Sequence, residues 1–441
     1  MKNSNQNLWA FTASLAGFLF GFDTVVISGA NLPIKELWQT SPWFHGTFIM
    51  SMALWGTVVG SLLGGIPSQR FGRKNTLIWI GILYFVSAVG SGLATDPYMF
   101  SFFRFIGGLG VGASTVAGPM YISEISTPKN RGKLVALYQF NIVLGILIAF
   151  LSNYLLKGVG GDNDWRWMLG IEGLPAIIYF VAVLFVPKSP RWLITVKNDV
   201  AGAKAVLLKM GVEDVDAKIA EIQAADDTVQ KTDSFFKHYK KPLTLAFLIA
   251  FFNQLSGINF VLYYAPEIFE MAGLATKDSL FSSIAIGGIN LVFTFVGLYL
   301  IDRAGRRQLL IVGSIGYIVS LLMISASFYA GLGSTFLLIS MMAFIASHAV
   351  GQGAVIWVFI AEIFPNHARA AGQSWGTGTH WVFAAIITLL GPVVIGIFQT
   401  NPWPIFTIFA AMMVFQLLFA VFMMPETKGV SLEDIQKKLG F

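Results

Sequence analysis

The chain has 441 residues, of which 55% are hydrophobic and only 12% charged, with a mean hydropathy of +0.69. Soluble proteins carry about 25% charged residues, so this composition excludes a soluble domain and reads as an integral membrane protein. The absence of cysteine excludes disulfides, thiol catalysis and cysteine-based metal sites, and the net charge of +6 sits in loops, where it reads as a topology signal rather than a nucleic-acid surface.

The first hydrophobic span begins almost at once. No small-residue cleavage site follows a short apolar core, so this helix is expected to be retained and not removed as a signal peptide. It contains Gly21-Phe22-Asp23-Thr24-Val25-Val26-Ile27-Ser28-Gly29. A carboxylate at bilayer depth costs about 2.5 to 3.5 kcal/mol on insertion scales, and it reads by default as a proton or ion site with a partner. Arg104, in a later span, is the natural partner. No second carboxylate appears beside Asp23, which counts against a sodium site.

Twelve membrane helices are predicted, near 8–32, 45–68, 75–94, 97–121, 133–157, 167–187, 243–272, 280–301, 308–330, 334–361, 370–397 and 403–425. The C-terminal part decides the count. Gln308 to Ala361 and Ala370 to Pro425 hold no Asp, Glu, Lys or Arg, and each block of 54 to 56 residues is long enough to cross twice. Their reversals fall at Gly331-Leu332-Gly333-Ser334 and Gln399-Thr400-Asn401-Pro402. Alternate loops carry the basic residues: Arg70, Arg73, Lys74; Lys129, Arg131, Lys133; Lys188, Arg191; Arg303, Arg306, Arg307; and Arg369. These loops and both termini are therefore expected on the cytoplasmic side. Gly107, Gly108, Gly110 and Gly112 fall inside the fourth span with no preceding strand, so they read as a close helix contact and not as a dinucleotide site.

The sequence also repeats. Glu124 to Arg131 recurs 238 positions later as Glu362 to Arg369, as does Pro187-Lys188-Ser189 near Pro425-Glu426-Thr427, and Arg70 to Lys74 recurs at Arg303 to Arg307 with an offset of 233. Two pseudo-symmetric six-helix bundles are the parallel-repeat plan of a transporter, with substrate held midway. The expected domains are an N-terminal bundle over 1–187, a cytoplasmic linker over 188–241 and a C-terminal bundle with a short tail over 242–441. Short amphipathic helices are expected in the linker, at Ala201 to Met210 and Asp214 to Ala225.

Several strings together resemble the sugar porter family of the major facilitator superfamily. They are Arg70-Phe71-Gly72-Arg73-Lys74, Asp302-Arg303-Ala304-Gly305-Arg306-Arg307, Arg104 with its glycine run, Pro187-Lys188-Ser189-Pro190-Arg191, Gln254-Leu255-Ser256-Gly257-Ile258-Asn259 and Pro425-Glu426-Thr427-Lys428-Gly429. Nearly the whole chain is covered, and the match is similar to bacterial sugar–proton symporters. The resemblance implies the major facilitator fold and a cytoplasmic gate of Arg70, Arg73, Glu124, Arg131, Arg303, Arg306, Arg307, Glu362 and Arg369. Arginines at helix C-termini would meet the negative end of the helix dipole and pair with the glutamates. Gln69 stands where many members have aspartate, and Lys188 where the motif usually has glutamate.

A sugar needs donors and acceptors together, which side-chain amides supply, and an apolar face, which indole supplies. By motif, the resemblance carries binding roles to Gln139, Gln254, Asn259, Asn290 and Trp357. Asn253, in place of the usual glutamine, and His380, in place of the usual amide before Trp381, complete the substrate-binding candidates. On a straight helix Gln254 and Asn259 would lie about 140° apart. Gly257 between them and Pro266 beyond suggest a break that turns both amides toward one cavity. Tyr263 and Tyr264 read either as outer gate residues or as packing aromatics, and the tenth helix lacks the prolines often found before Trp357.

Asp23 and Arg104 are the expected proton-coupling pair: desolvation and a guanidinium pull the acid's proton affinity in opposite directions, so separating them would switch it. A permanent salt bridge is the alternative. The reading is a monomeric inner-membrane importer of a monosaccharide, hexose or pentose, by proton symport, with a uniporter of the same fold as the second choice. A sugar-sensing receptor is distant, because it predicts a long signalling tail and only Gly429 to Phe441 follows the last span. No His/Asp/Glu cluster at ligand spacing suggests an enzyme, a metal or a cofactor. The partners expected are sugar, proton and lipid bilayer, without nucleic acid.

Overall fold

The structure, a computed structural model, describes residues 4–127, 130–226, 235–365, 368–430 and 432–439. Lys129 of the second basic loop lies outside the described residues. All regular elements among the described residues are helical. Among the described residues eleven helices are long and apolar enough to cross a membrane: Asn5–Trp38, Arg73–Leu93, Pro97–Ile125, Arg131–Leu156, Gly161–Leu184, Lys240–Met271, Thr276–Ala304, Arg306–Ala330, Ser334–Glu362, Arg369–Ile397 and Trp403–Phe422. A bent pair, Pro42–Met50 and Met52–Leu63 with 41° between its parts, supplies the second of twelve spans. Span order and number follow the hydropathy pattern, with boundaries shifted by a few residues.

Local chemistry sets the boundaries. Asp96 caps the fourth span by accepting from the Tyr98 and Met99 amides, with Pro97 in the first turn, where its missing donor costs nothing. Gly331, left-handed at φ 61°, ends the ninth span and opens the reversal into the tenth. Many apolar side chains stay exposed on the spans, among them Trp79, Phe102, Val292, Phe415 and Phe422, as a lipid-facing surface requires.

By contact density the chain falls into two compact units. The first comprises residues 1–24, 52–149 and 166–231, and the second residues 25–51, 150–165 and 232–441. The division runs through the first, second, fifth and sixth spans.

In the first unit the glycine run brings the second and fourth spans into backbone contact. A side chain at Gly108 would meet the Ala53 carbonyl oxygen at 1.9 Å, and one at Gly112 the Thr57 carbonyl oxygen at 2.3 Å. The linker helices Pro190–Thr195, Val200–Lys209 and Val215–Asp226 belong to this unit. They bury Trp192, Leu193, Leu207, Met210, Val215 and Ile219 in one apolar cluster with Leu77, Ile80 and Tyr121. Each large side chain so buried contributes about 1.5 to 3 kcal/mol, which fixes these short helices to the rest of the unit. Gln6 adds a donor bond to the Met210 carbonyl at 2.5 Å.

In the second unit the seventh span is two helices, Lys240–Leu255 and Ile258–Met271, separated at Gly257 with φ 82°. The tenth span holds a π-helical turn without proline: Ala349–Gly353 joins Ser334–His348 to Ala354–Glu362. A second π turn, His45–Met50, opens the second span. Such turns insert a residue into the helical ladder and are frequent at functional sites.

Candidate functional site

Asp23 and Arg104 are both fully inside the first unit, at 1% and 2% exposure. Arg104 donates through Nη1 to Asp23 Oδ1 at 2.6 Å and through Nη2 to the Asp23 carbonyl at 3.1 Å, gripping side chain and backbone together. Gly107, one turn beyond Arg104, leaves the space: a side chain there would sit 2.3 Å from Ser87 Oγ and 3.4 Å from Asp23 Oδ1. The expectation of no second carboxylate beside Asp23 is corrected. Glu172, 1% exposed in the sixth span, lies close enough to Asp23 and Arg104 to interact electrostatically with both. Nothing in the local sequence around Asp23 indicates this, although an acid inside a predicted span was the available signal.

In the second unit the break at Gly257 brings the two amides of the seventh span together. Asn259 Nδ2 donates to Gln254 Oε1 at 2.8 Å, and Gln254 Nε2 donates to Asn253 Oδ1 at 2.9 Å. The chain continues through residues that the sequence reading passed over. Asn253 Nδ2 donates to Gln352 Oε1 at 3.4 Å, Gln352 Nε2 to Gln416 Oε1 at 2.7 Å and Gln416 Nε2 to Ser314 Oγ at 2.8 Å. Gln352 belongs to the π turn of the tenth span, and that turn aims an amide at the seventh. Gln254 Nε2 also lies 3.2 Å from the His380 ring nitrogens, and the His380 ring is 4.9 Å from that of Trp357. Trp381 is buried beside it. Asn290 is buried in the eighth span and is not bonded to this array; Gln139 is half-buried in the fifth span, within the first unit.

Tyr263 and Tyr264 are buried at 1% and 0%, and Tyr264 donates to the Thr388 carbonyl at 2.7 Å. The seventh span carries another polar contact that the sequence reading missed. Asn31 Nδ2 donates to Glu267 Oε2 at 2.8 Å, His45 Nε2 donates to Asn31 Oδ1 at 2.8 Å, and Thr40 Oγ1 bonds His45 Nδ1 at 2.7 Å. Asn31, His45 and Glu267 are all buried, and all belong to the second unit.

At the basic-loop end each unit holds a matching charge cluster. Arg73 grips Glu124 at 2.8 Å, and Ser189 Oγ donates to the same carboxylate at 2.5 Å. Arg306 grips Glu362 at 2.8 Å, and Thr427 Oγ1 donates to it at 2.6 Å. The expected placement of these arginines at helix C-termini is corrected: Arg73 and Arg306 each open the following helix. Their Nη1 groups reach back to the preceding helix, to the Ser68 and Ile301 carbonyls at 3.1 and 3.0 Å, and so satisfy its end. Arg307 bonds the Ala420 carbonyl at 3.1 Å and the Val421 carbonyl. Arg70 and Arg303 lie over the rings of Phe71 and Tyr299. Arg131 and Arg369 begin the fifth and eleventh spans without an ion pair among the described residues.

Residues 9–439 match the model of a family described as sugar (and other) transporter. The arabinose–proton symporter of Bacillus subtilis strain 168 is 35% identical, over 96% of this chain and 93% of that protein. The D-xylose–proton symporter of Escherichia coli K12 is 32% identical, over 96% of this chain and 94% of that protein. Among solved structures, the xylose transporter XylE from E. coli in a partially occluded inward-open conformation superposes with a TM-score of 0.87. It shares 30% identity and covers 97% of this chain and 100% of that chain.

Proposed function

Because the chain belongs to the sugar (and other) transporter family, and is thus a multi-pass plasma-membrane transporter and not an enzyme, we propose that it imports a monosaccharide together with a proton by alternating access. The observation that carries the proton half is the buried group of Asp23, Arg104 and Glu172. In this reading a proton neutralises Asp23, frees Arg104 from its grip and lets the surrounding helices rearrange. The amide array of Asn253, Gln254 and Asn259, with His380, Trp357 and Trp381 beside it, is the proposed sugar site, and Gln139 and Asn290 keep the binding role that family resemblance assigns them. Amides donate and accept toward hydroxyls, and the indole covers a C–H face. The basic loops, the linker helices and both termini are placed in the cytoplasm, where the twin Arg–Glu clusters act as gates.

The names of the relatives support a sugar as cargo, since two of them are described as arabinose– and D-xylose–proton symporters. The test is uptake of labelled pentoses and hexoses into proteoliposomes with and without an imposed pH gradient. Wild type is expected to accumulate sugar against its gradient, and Asp23→Asn to lose accumulation while retaining sugar exchange. Accumulation that survives Asp23→Asn would move the reading to a uniporter, in which Asp23 and Arg104 only fix geometry.

A further inference from the structure

Buried serines in this chain commonly donate to a carbonyl of their own helix, as Ser14, Ser68 and Ser340 do. Two stripes in the first unit depart from this. On the third span Tyr84, Ser87 and Ser91 share one helix face, and on the sixth Glu172 and Tyr179, seven residues apart, share another. All five are 1% exposed or less. Their Tyr84 Oη, Ser87 Oγ, Ser91 Oγ, Glu172 Oε1 and Tyr179 Oη atoms have no hydrogen-bond partner among the described residues. Buried polar atoms of this kind are the usual holders of internal water. Both stripes pass Asp23. A β-carbon at Gly107 would lie 2.3 Å from Ser87 Oγ and 3.4 Å from Asp23 Oδ1, so a single water can bridge hydroxyl and carboxylate. Tyr84 and Glu172 are each close enough to Asp23 to interact electrostatically with it. Ser114, near Tyr84, is already engaged by the Val111 carbonyl at 2.8 Å and by Tyr138 at 3.1 Å.

The second repeat satisfies the same positions with protein. At the offset of 233, Tyr84 and Ser87 correspond to Tyr317 and Ser320. Tyr317 bonds the His348 ring, and Ser320 donates to the Gly316 carbonyl at 2.7 Å. At the offset of 238, the position of His348 is Gly110 in the first repeat. Outside its own helix, a β-carbon at Gly110 would meet no atom nearer than 3.4 Å. The first repeat thus keeps the tyrosine and lacks the imidazole that would bond it.

We propose that the first unit holds a file of internal water on these five groups, and that the file delivers the proton to Asp23 along the third span. This rests on the proton-coupled reading above and adds Tyr84, Ser87 and Ser91 to it as relay residues. The third span starts at the basic loop with Arg73, so Ser91, two residues from Leu93, lies at the opposite end, with Ser87 one turn deeper. The proton comes from bulk water beyond Ser91. Each hydroxyl or water takes one proton on its oxygen as it releases another, so the file is left as it was and Asp23 becomes the neutral acid. The charged groups facing the route are Arg104 and Glu172 beside Asp23, and Arg166 at its mouth. Arg166 donates to the Gly92 and Ala94 carbonyls at 3.0 and 2.6 Å.

The water is tested first, by hydroxyl-radical footprinting of the full-length protein with mass-spectrometric readout, since radicals form on bound water and oxidise the buried side chains beside it. Tyr84 and Tyr179 are expected to oxidise faster than Tyr121 and Tyr264, which are as deeply buried but bond the Pro187 and Thr388 carbonyls. The relay is tested in proteoliposomes, with whichever of labelled xylose, arabinose or glucose wild type accumulates. Ser87→Ala and Tyr84→Phe should slow the initial rate under a pH gradient several-fold and sugar exchange much less. Both should still reach the wild-type plateau, because a relay sets the rate and not the equilibrium. Tyr84 oxidising no faster than Tyr121, wild-type uptake rates in both variants, or equal losses of uptake and exchange would overturn the proposal. A wild type that accumulates none of the three sugars would instead remove the proton-coupled reading, and footprinting at Tyr84 would still decide whether water is held there.

Discussion

Glu426 shows how much a single side chain does at a helix start. Burial pushes its carboxyl up, and the amides of Lys428, Arg306, Arg307 and Thr427 more than offset this, leaving it below its ordinary range. A carboxyl depressed in the folded state contributes stability that is complete above its ordinary range and is lost as pH falls through the folded value. Thermal midpoints measured against pH should therefore fall on acidification in wild type. Glu426→Gln should start lower at neutral pH and show a flatter acid limb; parallel curves would rule out this role. At Asp23 a single carboxylate likewise carries the proposed coupling, and Asp23→Asn is expected to abolish accumulation of labelled sugar in proteoliposomes under a pH gradient. The sequence exposed Asp23 and Arg104 as charges inside apolar spans, but Glu172 became their neighbour only through the packing of the sixth span.

The seventh span is the element on which the proposed sugar site depends. Its break needs Gly257: at φ 82° any other residue is strained, and a side chain there would also lie 2.6 Å from the Phe409 ring. Gly257→Ala is expected to cost about 1 to 3 kcal/mol, seen as a lower thermal midpoint, and to raise the KM for sugar by moving Asn259 off Gln254. A variant with wild-type midpoint and KM would show that the break tolerates a side chain. The tenth span contributes through its π turn, which holds Gln352 between Asn253 and Gln416. Gln352→Leu should raise KM several-fold with a smaller change in maximal rate, since a mis-set Asn253 weakens binding more than the conformational step. Equal loss in both parameters would point to a folding defect. The break in the seventh span was legible from Gly257 and its flanking amides. The π turn was not, because no proline or glycine pattern specifies where a helix takes in an extra residue.

Across the whole molecule the duplicated clusters make a prediction that neither makes alone. Arg73 with Glu124 and Arg306 with Glu362 both close at 2.8 Å, so neutralising either carboxylate should weaken its cluster in the same direction. Glu124→Gln and Glu362→Gln are each expected to remove about 1 to 3 kcal/mol of coupling to the arginine, as double-mutant cycles with Arg73→Ala and Arg306→Ala would measure through thermal stability and uptake. Cycle energies near zero for both would reduce the clusters to topology anchors. The sequence by itself determined the membrane class, the order of the spans, the duplication, the motif residues and the charge inversion at Lys188. Hydropathy, loop charge and spacing are local quantities, readable residue by residue. Only the tertiary structure decided that Glu172 lies against Asp23, that Gln352 and Gln416 extend the amide array, and that Asn31 bonds Glu267 across 236 positions of chain. Those contacts arise from which faces of apolar helices pack together, and a nearly uniform hydrophobic pattern does not encode that choice.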